Sequence, residues 1–249
     1  MCVMAAVMQT SARSAGPAAP KRPRVPKRDP AHYHHGDLRA ALLAAAEQVL
    51  LDRGVDGFTL RECARRAGVS HAAPAHHFGD ARGLLTEFAA LGFERLAGMM
   101  QAARDAAGAN ARNALLSVGR AYVLFAATHP AQFALMFRSQ VVAVQGRNPH
   151  SSGKSAYDHL RETLAAARGT EVVDTPEFQT RVMLAWSAVH GLSSLILDGG
   201  LAGPDHNGSK SSSKTSTKIT PVALAHKLAP AMLDALWPAL VGKDAGNGA

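Results

Sequence analysis

The 249-residue chain exceeds one typical domain of about 100–150 residues and has room for two small ones. It is 47% hydrophobic yet 5% aromatic, rich in Ala and Leu and poor in runs of Val, Ile and Thr, which argues for helices and against a sheet. A formal charge of +8 suits a polyanionic partner, nucleic acid or an anionic membrane surface, and two cysteines, Cys2 and Cys63, are too few for a disulfide framework and fit a reducing cytoplasm.

In chain order, residues 1–30 are rich in Ala, Pro, Ser and basic side chains, show no apolar period and are expected to be disordered. The first ten residues lack the early basic cluster of a signal peptide. Residues 21–28 (Lys-Arg-Pro-Arg-Val-Pro-Lys-Arg) form a basic arm stiffened by proline, either a solubilising tail or an arm for phosphates or a minor groove. His32-Tyr33-His34-His35 invites a metal reading, but no thiolate or carboxylate partner stands at helical spacing, so no metal site is expected. A helix follows at 38–52, with Asp37 as its N-cap and Leu38, Leu42, Ala45 and Val49 on one face; Arg53-Gly54 ends it.

Residues 59–78 then read as two short helices about a tight turn. Leu60, Cys63, Ala64 and Ala67 make one apolar face, and Arg61, Arg65 and Arg66 take the others. Gly68 ends the first helix, Val69 seals the corner, and Ser70 is expected to N-cap the second. This is the pattern of a helix-turn-helix, whose second helix enters a major groove. On that reading His71 and His77 reach base edges or phosphates and Ala72 and Ala73 meet thymine methyls, while Thr59, Arg61, Arg65 and Arg82 suit phosphates; Val69, Pro74 and Phe78 face the core.

An Ala-rich helix, Arg-Gly, Phe-Thr-Leu-Arg-Glu, Ala-Arg-Arg-Ala-Gly-Val-Ser and then Phe78 resemble the N-terminal domain of TetR-type (tetracycline-repressor-like) regulators, with no gap over residues 36–93. The resemblance implies a first helix packed across the helix-turn-helix, with its N-terminus, after Tyr33, His34, His35 and Gly36, at the DNA backbone. The chain departs from the family at Ala75 and His77, where many relatives carry Tyr, and at Ala81, where they carry Lys. His76 and Arg82 are the candidates to replace those contacts.

The rest punctuates into further helices. Residues 80–100 carry Leu84, Leu85, Phe88, Leu91, Phe93 and Leu96, and their start resembles the fourth family helix, which joins head and body without a flexible linker. Helices are expected at 112–127, then after His129-Pro130 at 131–145, and at 156–168 beyond a loop spanning 146–149 and 151–153. Thr175-Pro176 and Thr220-Pro221 are helix starts; the second helix, reaching about residue 241, is expected to bend or break near Pro230 and Pro238. The apolar run at 182–197 contains His190 and Gly191 and falls short of the about 18–20 residues that span a bilayer. His129-Pro130 through Phe137, with Trp186, His190 and Gly191, resemble the C-terminal domain of a TetR subgroup named for its Trp-His-Gly pattern.

The expected architecture is therefore all-α: a disordered basic arm at 1–30, a three-helix helix-turn-helix domain at 31–93, an antiparallel helical effector-binding and dimerisation domain at 94–241 with a mobile loop at 203–218, and a tail at 242–249. The resemblance implies a cytoplasmic, sequence-specific DNA-binding regulator. It implies a repressor in particular, a homodimer on a near-palindromic double-stranded operator that a small organic effector releases. Met99, Tyr122, Phe125, Phe133, Met136, Phe137, Trp186 and His190 are the ligand candidates. No cofactor, membrane partner or catalysis is expected: no nucleophile elbow or zinc-protease pattern occurs, and residues 151–155 lack the first Gly of a phosphate loop. The alternatives are a metal-responsive regulator using the His-rich N-terminus and a helical small-molecule binder that does not touch DNA.

Overall fold

The computed structural model describes residues 35–138, 140, 149–171, 174–201 and 220–242. The basic arm, His32–His34, residues 146–148, the loop at 203–218 and the tail beyond 242 lie outside them.

Helices begin where a side chain takes up the amides that a first turn leaves without partners. Thr59, Asp80, Asn110, Thr175 and Thr220 each accept the N–H three residues on, at 2.7 to 3.3 Å. The helices in chain order are α1 (His35–Arg53), α2 (Leu60–Ala67), α3 (Ala73–Phe78), α4 (Ala81–Ala106), α5 (Ala111–Thr128), α6 (Pro130–Met136), α7 (Pro149–Ala167), α8 (Pro176–Leu197) and α9 (Pro221–Val241), and the caps just named open α2, α4, α5, α8 and α9. Among the described residues there is no strand, and no helix is long and apolar enough to cross a membrane.

The apolar face of α1 (Leu42, Ala46, Val49) meets Phe58, Cys63, Leu84, Leu85 and Phe88, and the same core continues through Leu96, Phe125 and Leu135. α4 thus belongs to both ends, and residue 93 lies inside it. α4 packs on α5 and α7, and α5 packs on α8 and α9. A second core at the far end gathers Leu115, Leu164, Phe178, Val182 and Leu240.

Several expectations need correction. Asp37 does not cap the first helix, which already begins two residues earlier at His35. Ser70 does not cap the second helix, which starts at Ala73 after Ala72 and has no side-chain cap. The cause is Pro74: with no N–H it cannot make the first helical bond back to Ser70. The Ser70 carbonyl is taken instead by Ala73 (3.1 Å), and His76 to Ala72 (3.1 Å) is a helical bond within reach. The helix expected at 131–145 stops at Met136, where Phe137 leaves helical geometry and Arg138 bonds back three residues to Leu135 (3.0 Å). Residues 149–153, expected as loop, are the first turn of α7, because Pro149 occupies a helix start, where its missing N–H costs least.

α9 also runs without interruption past Pro230 and Pro238. An interior proline costs about 3 kcal/mol largely by orphaning the carbonyl four residues before it. Here those carbonyls belong to His226 and Asp234, both exposed, so water can satisfy them.

Candidate DNA interface and ligand cavity

The reading head is fixed by a small number of local devices. Gly68, with φ +69°, closes α2 so that its own N–H and that of Val69 reach back to Arg65 (3.3 Å) and Ala64 (3.1 Å). The Cys63 thiol, fully buried, donates to the Leu42 carbonyl (3.2 Å) and anchors α2 on α1; burial pushes this thiol up to about 11, so it stays protonated. At the other side, a Cβ on Gly83 would lie 2.0 Å from the Phe78 carbonyl oxygen, so only glycine lets α4 start this close to α3. Arg39 of α1 sits over the Phe78 ring and pairs with Glu87 of α4.

Charge in the head is unevenly spent. Glu62 is buried between three guanidinium groups: Arg65 bonds both its oxygens (2.8 and 2.8 Å), Arg66 bonds one (2.9 Å), and Arg53 lies at 3.2 Å. Arg66 also reaches Asp52 of α1 (2.6 Å). The hydrogen bonds from Arg65 and Arg66, with the nearby charge of Arg53, hold the Glu62 carboxyl down at about 2. Sequence inspection missed this residue, although Thr59-x-x-Glu62 is the spacing of a helix-start box.

Of the DNA candidates, Thr59, Arg61, Ser70, His71, Ala72, His76 and Arg82 are exposed, and Ala73 and His77 are half-buried. Thr59 is engaged in capping α2, and Arg65, though 65% exposed, is committed to Glu62. Arg61 and Arg82 have no ion-pair partner among the described residues and are the head's available cations. Pro74 is buried, while Val69 and Phe78 are half-buried against the core, as expected.

Behind the head, α4 to α9 enclose a cavity of about 510 Å³. Of the ligand candidates, Tyr122, Met136, Phe137 and Trp186 line it. The Trp186 indole can only donate, so Tyr122 Oη accepts from Nε1 (3.3 Å) and gives its own proton to His190 Nδ1 (2.9 Å), which assigns the neutral Nε2–H tautomer. Burial keeps the Tyr122 phenol protonated and lowers His190, so both stay neutral near pH 7. The His190 ring lies 4.6 Å from Phe137 and 5.2 Å from Phe133, behind the wall and holding it.

Phe125 and Met99 sit elsewhere: Phe125 is buried under His129 (5.2 Å, near-parallel rings), and Met99 faces an alanine-rich groove between α4, α5 and α9. Lys154 and Tyr157 also line the cavity and were not anticipated. With α7 begun at Pro149, the spacing Gly153, Tyr157, Leu160 and Leu164 would have marked its inner face.

α6 joins the two sites. Met136 lines the cavity and packs on α4 at Gly92, where a Cβ would lie 2.7 Å from its sulfur. One turn earlier Gln132, buried, accepts from Arg95 (2.8 Å) and donates to the Phe88 carbonyl (3.4 Å), and α6 also contacts α1.

Comparison with known proteins places these two regions side by side. A family model described as bacterial regulatory proteins of the tetR family matches residues 42–88, and one described as a tetracyclin repressor-like C-terminal domain matches residues 115–213. A Rhodococcus sp. RHA1 protein of unknown function is 32% identical, with 85% of this chain and 99% of that one covered at a TM-score of 0.65. The TetR-family transcriptional regulator PfmR of Thermus thermophilus is similar in fold at 18% identity, covering 79% and 96% of the two chains with a TM-score of 0.58. A tetR-family regulatory protein of Rhodococcus RHA1 is equally distant, 18% identical over 82% and 97% with a TM-score of 0.58. No curated protein sequence matches the chain.

Proposed function

Because the chain belongs to the tetracycline-repressor family of DNA-binding transcription regulators, we propose that it is a repressor whose operator is released when a small organic molecule enters the cavity. The observation that carries this reading is that the same two helices serve both sites. α4 starts against α3 and supplies Phe93, Leu96 and Met100 to the cavity wall; α6 supplies Met136 and abuts α1, with Phe137 at its end. A ligand that moves either helix must change how the head is held, and the packed contacts at Gly92 leave little slack to absorb the motion.

The head presents Arg61 and Arg82 to phosphates and His71, Ala72, Ala73, His76 and His77 to the major groove, with Ser70 at the approach. Thr59 and Arg65 serve the architecture of α2 first and the backbone second. α8 exposes Met183, Leu184 and Leu195 along one side. An apolar stripe of this kind supports a homodimer through α8 and α9, hence a near-palindromic operator and residence with the chromosome in the cytoplasm. Trp186, His190 and Gly191 support placement in the subgroup with the Trp-His-Gly pattern. Selection of bound fragments from the host genome, followed by footprinting, tests the reading. An inverted repeat protected by two protomers supports it, and protection of a single half-site by a monomer contradicts it.

A further inference from the structure

The walls of the cavity also constrain what enters it. We infer that the cavity takes a compact apolar molecule bearing one anionic group, its body among the buried side chains and its charge against Lys154 at the mouth. This rests on the cavity being the effector site proposed above.

The shape comes first. Phe93 and Met100 mark the cavity's extent along α4, seven residues or about 10 Å apart. A volume of about 510 Å³ over that length is a chamber wider than a single alkyl chain, suited to fused or linked rings.

Charge comes second. Among the described residues, no Asp or Glu lines the cavity, and Lys154 is its one formal charge. A cation carried inside would lose its hydration with no carboxylate to meet it, a cost that buried charges do not bear unpaired. An anion has one place to go. Lys154 is 72% exposed and pairs with Asp158 one turn on (2.5 Å), which engages one of the three ammonium protons and leaves two for a ligand.

The deep end offers no rival for that charge. The Tyr122 hydroxyl already accepts from Trp186 and donates to His190, so among the described lining side chains the polar group left for a ligand besides the Lys154 ammonium is the Tyr157 hydroxyl, three residues further along the same helix. A ligand polar at both ends would leave one end unmatched.

The test uses three fluorescent probes on the full chain: 1-anilinonaphthalene-8-sulfonate, the same skeleton without the sulfonate (N-phenyl-1-naphthylamine), and cationic ethidium. We expect saturable binding of the first two at one per chain, with quenching of the tryptophan emission that a Trp237→Phe chain retains, and no displacement of either by ethidium. Lys154→Glu, on an exposed turn, should weaken the sulfonate roughly fivefold, as exposed charge pairs do, and leave the neutral probe within about twofold. Equal loss of both probes in that variant, or displacement by ethidium at lower concentration, overturns the inference while leaving the cavity a ligand site. Failure of all three probes to bind saturably, or binding that survives Leu160→Trp with the helical circular dichroism intact, overturns the effector site itself.

Discussion

The helix-turn-helix head and the cavity in the body are held by opposite kinds of interaction. In the head, short helices are fixed by backbone closeness and by a charged cluster: Gly83 against Phe78, Gly68 turning the corner, and Glu62 gripped by Arg53, Arg65 and Arg66. In the body, long helices leave about 510 Å³ between mostly apolar side chains, with the neutral chain Trp186–Tyr122–His190 at its wall and the Lys154–Asp158 pair at its mouth. The head therefore answers to charge and to single atoms, and the body answers to volume. α4 and α6 are where one kind of change becomes the other.

The sharpest way to break this contrast is at Gly83. Gly83→Ala places a Cβ against the Phe78 carbonyl and should cost about 3 kcal/mol or more, at or beyond the upper end of overpacking changes. Urea unfolding should show the midpoint fall and specific DNA binding vanish with it. An unchanged midpoint would mean that α3 and α4 do not approach as described.

Next in size are the arginines. Arg61→Ala should weaken operator binding by about 1–3 kcal/mol and, if the contact is to phosphate, reduce the salt slope by about one. Arg65→Ala should change that slope less, because its charge is already matched by Glu62. Equal slopes for the two variants would show that the ion-pair cluster opens on DNA.

An effect of similar size, but on stability and not on DNA affinity, belongs to the cavity. Tyr122→Phe keeps the ring and removes the hydroxyl, leaving His190 Nδ1 and Trp186 Nε1 without a partner, at a cost of about 1–3 kcal/mol. Thermal unfolding and tryptophan emission, read in a Trp237→Phe background so that it reports Trp186, should both shift, whereas operator affinity of the ligand-free protein should not. Altered affinity would place the hydroxyl in the route between the sites.

The last effect emerges only in acid, at Glu62. Its carboxyl titrates lower in the folded head than in the unfolded chain, so the stability it contributes is complete above its ordinary value near 4.5 and is lost as pH falls toward about 2. His190 runs to the same side for another reason: half-buried and neutral, it opposes protonation, so the body loses stability as pH drops below about 6.5. Far-ultraviolet circular dichroism should show that Glu62→Gln flattens the acid limb below pH 4.5 and leaves the limb near pH 6 in place.

How much of this was legible in the sequence follows from the range of the interactions. Thr175-Pro176, Thr220-Pro221 and Gly68 were readable because cap, proline and left-handed glycine act within one turn. The same local grammar misled at Ser70, where Pro74 four positions later removes the needed donor, and at Pro149, which starts a helix instead of ending a loop. Cavity residues were found where an aromatic side chain announced itself, as at Tyr122 and Trp186. Phe125 and Met99 looked the same in sequence and face other neighbours. The partners that decide such cases, Tyr122 with His190 or Arg95 with Gln132, lie 68 and 37 positions apart.

The central claim is that the face carrying Arg61 and His71 reads an operator on behalf of a two-fold dimer. Selection of genomic fragments by the wild-type chain and by the Arg61→Ala/His71→Ala variant, run in parallel at one salt concentration, tests it most directly. The wild type should enrich a discrete inverted repeat with half-sites about one helical turn or a multiple of it apart, and the variant should enrich nothing. Enrichment of the same repeat by both proteins would contradict the account.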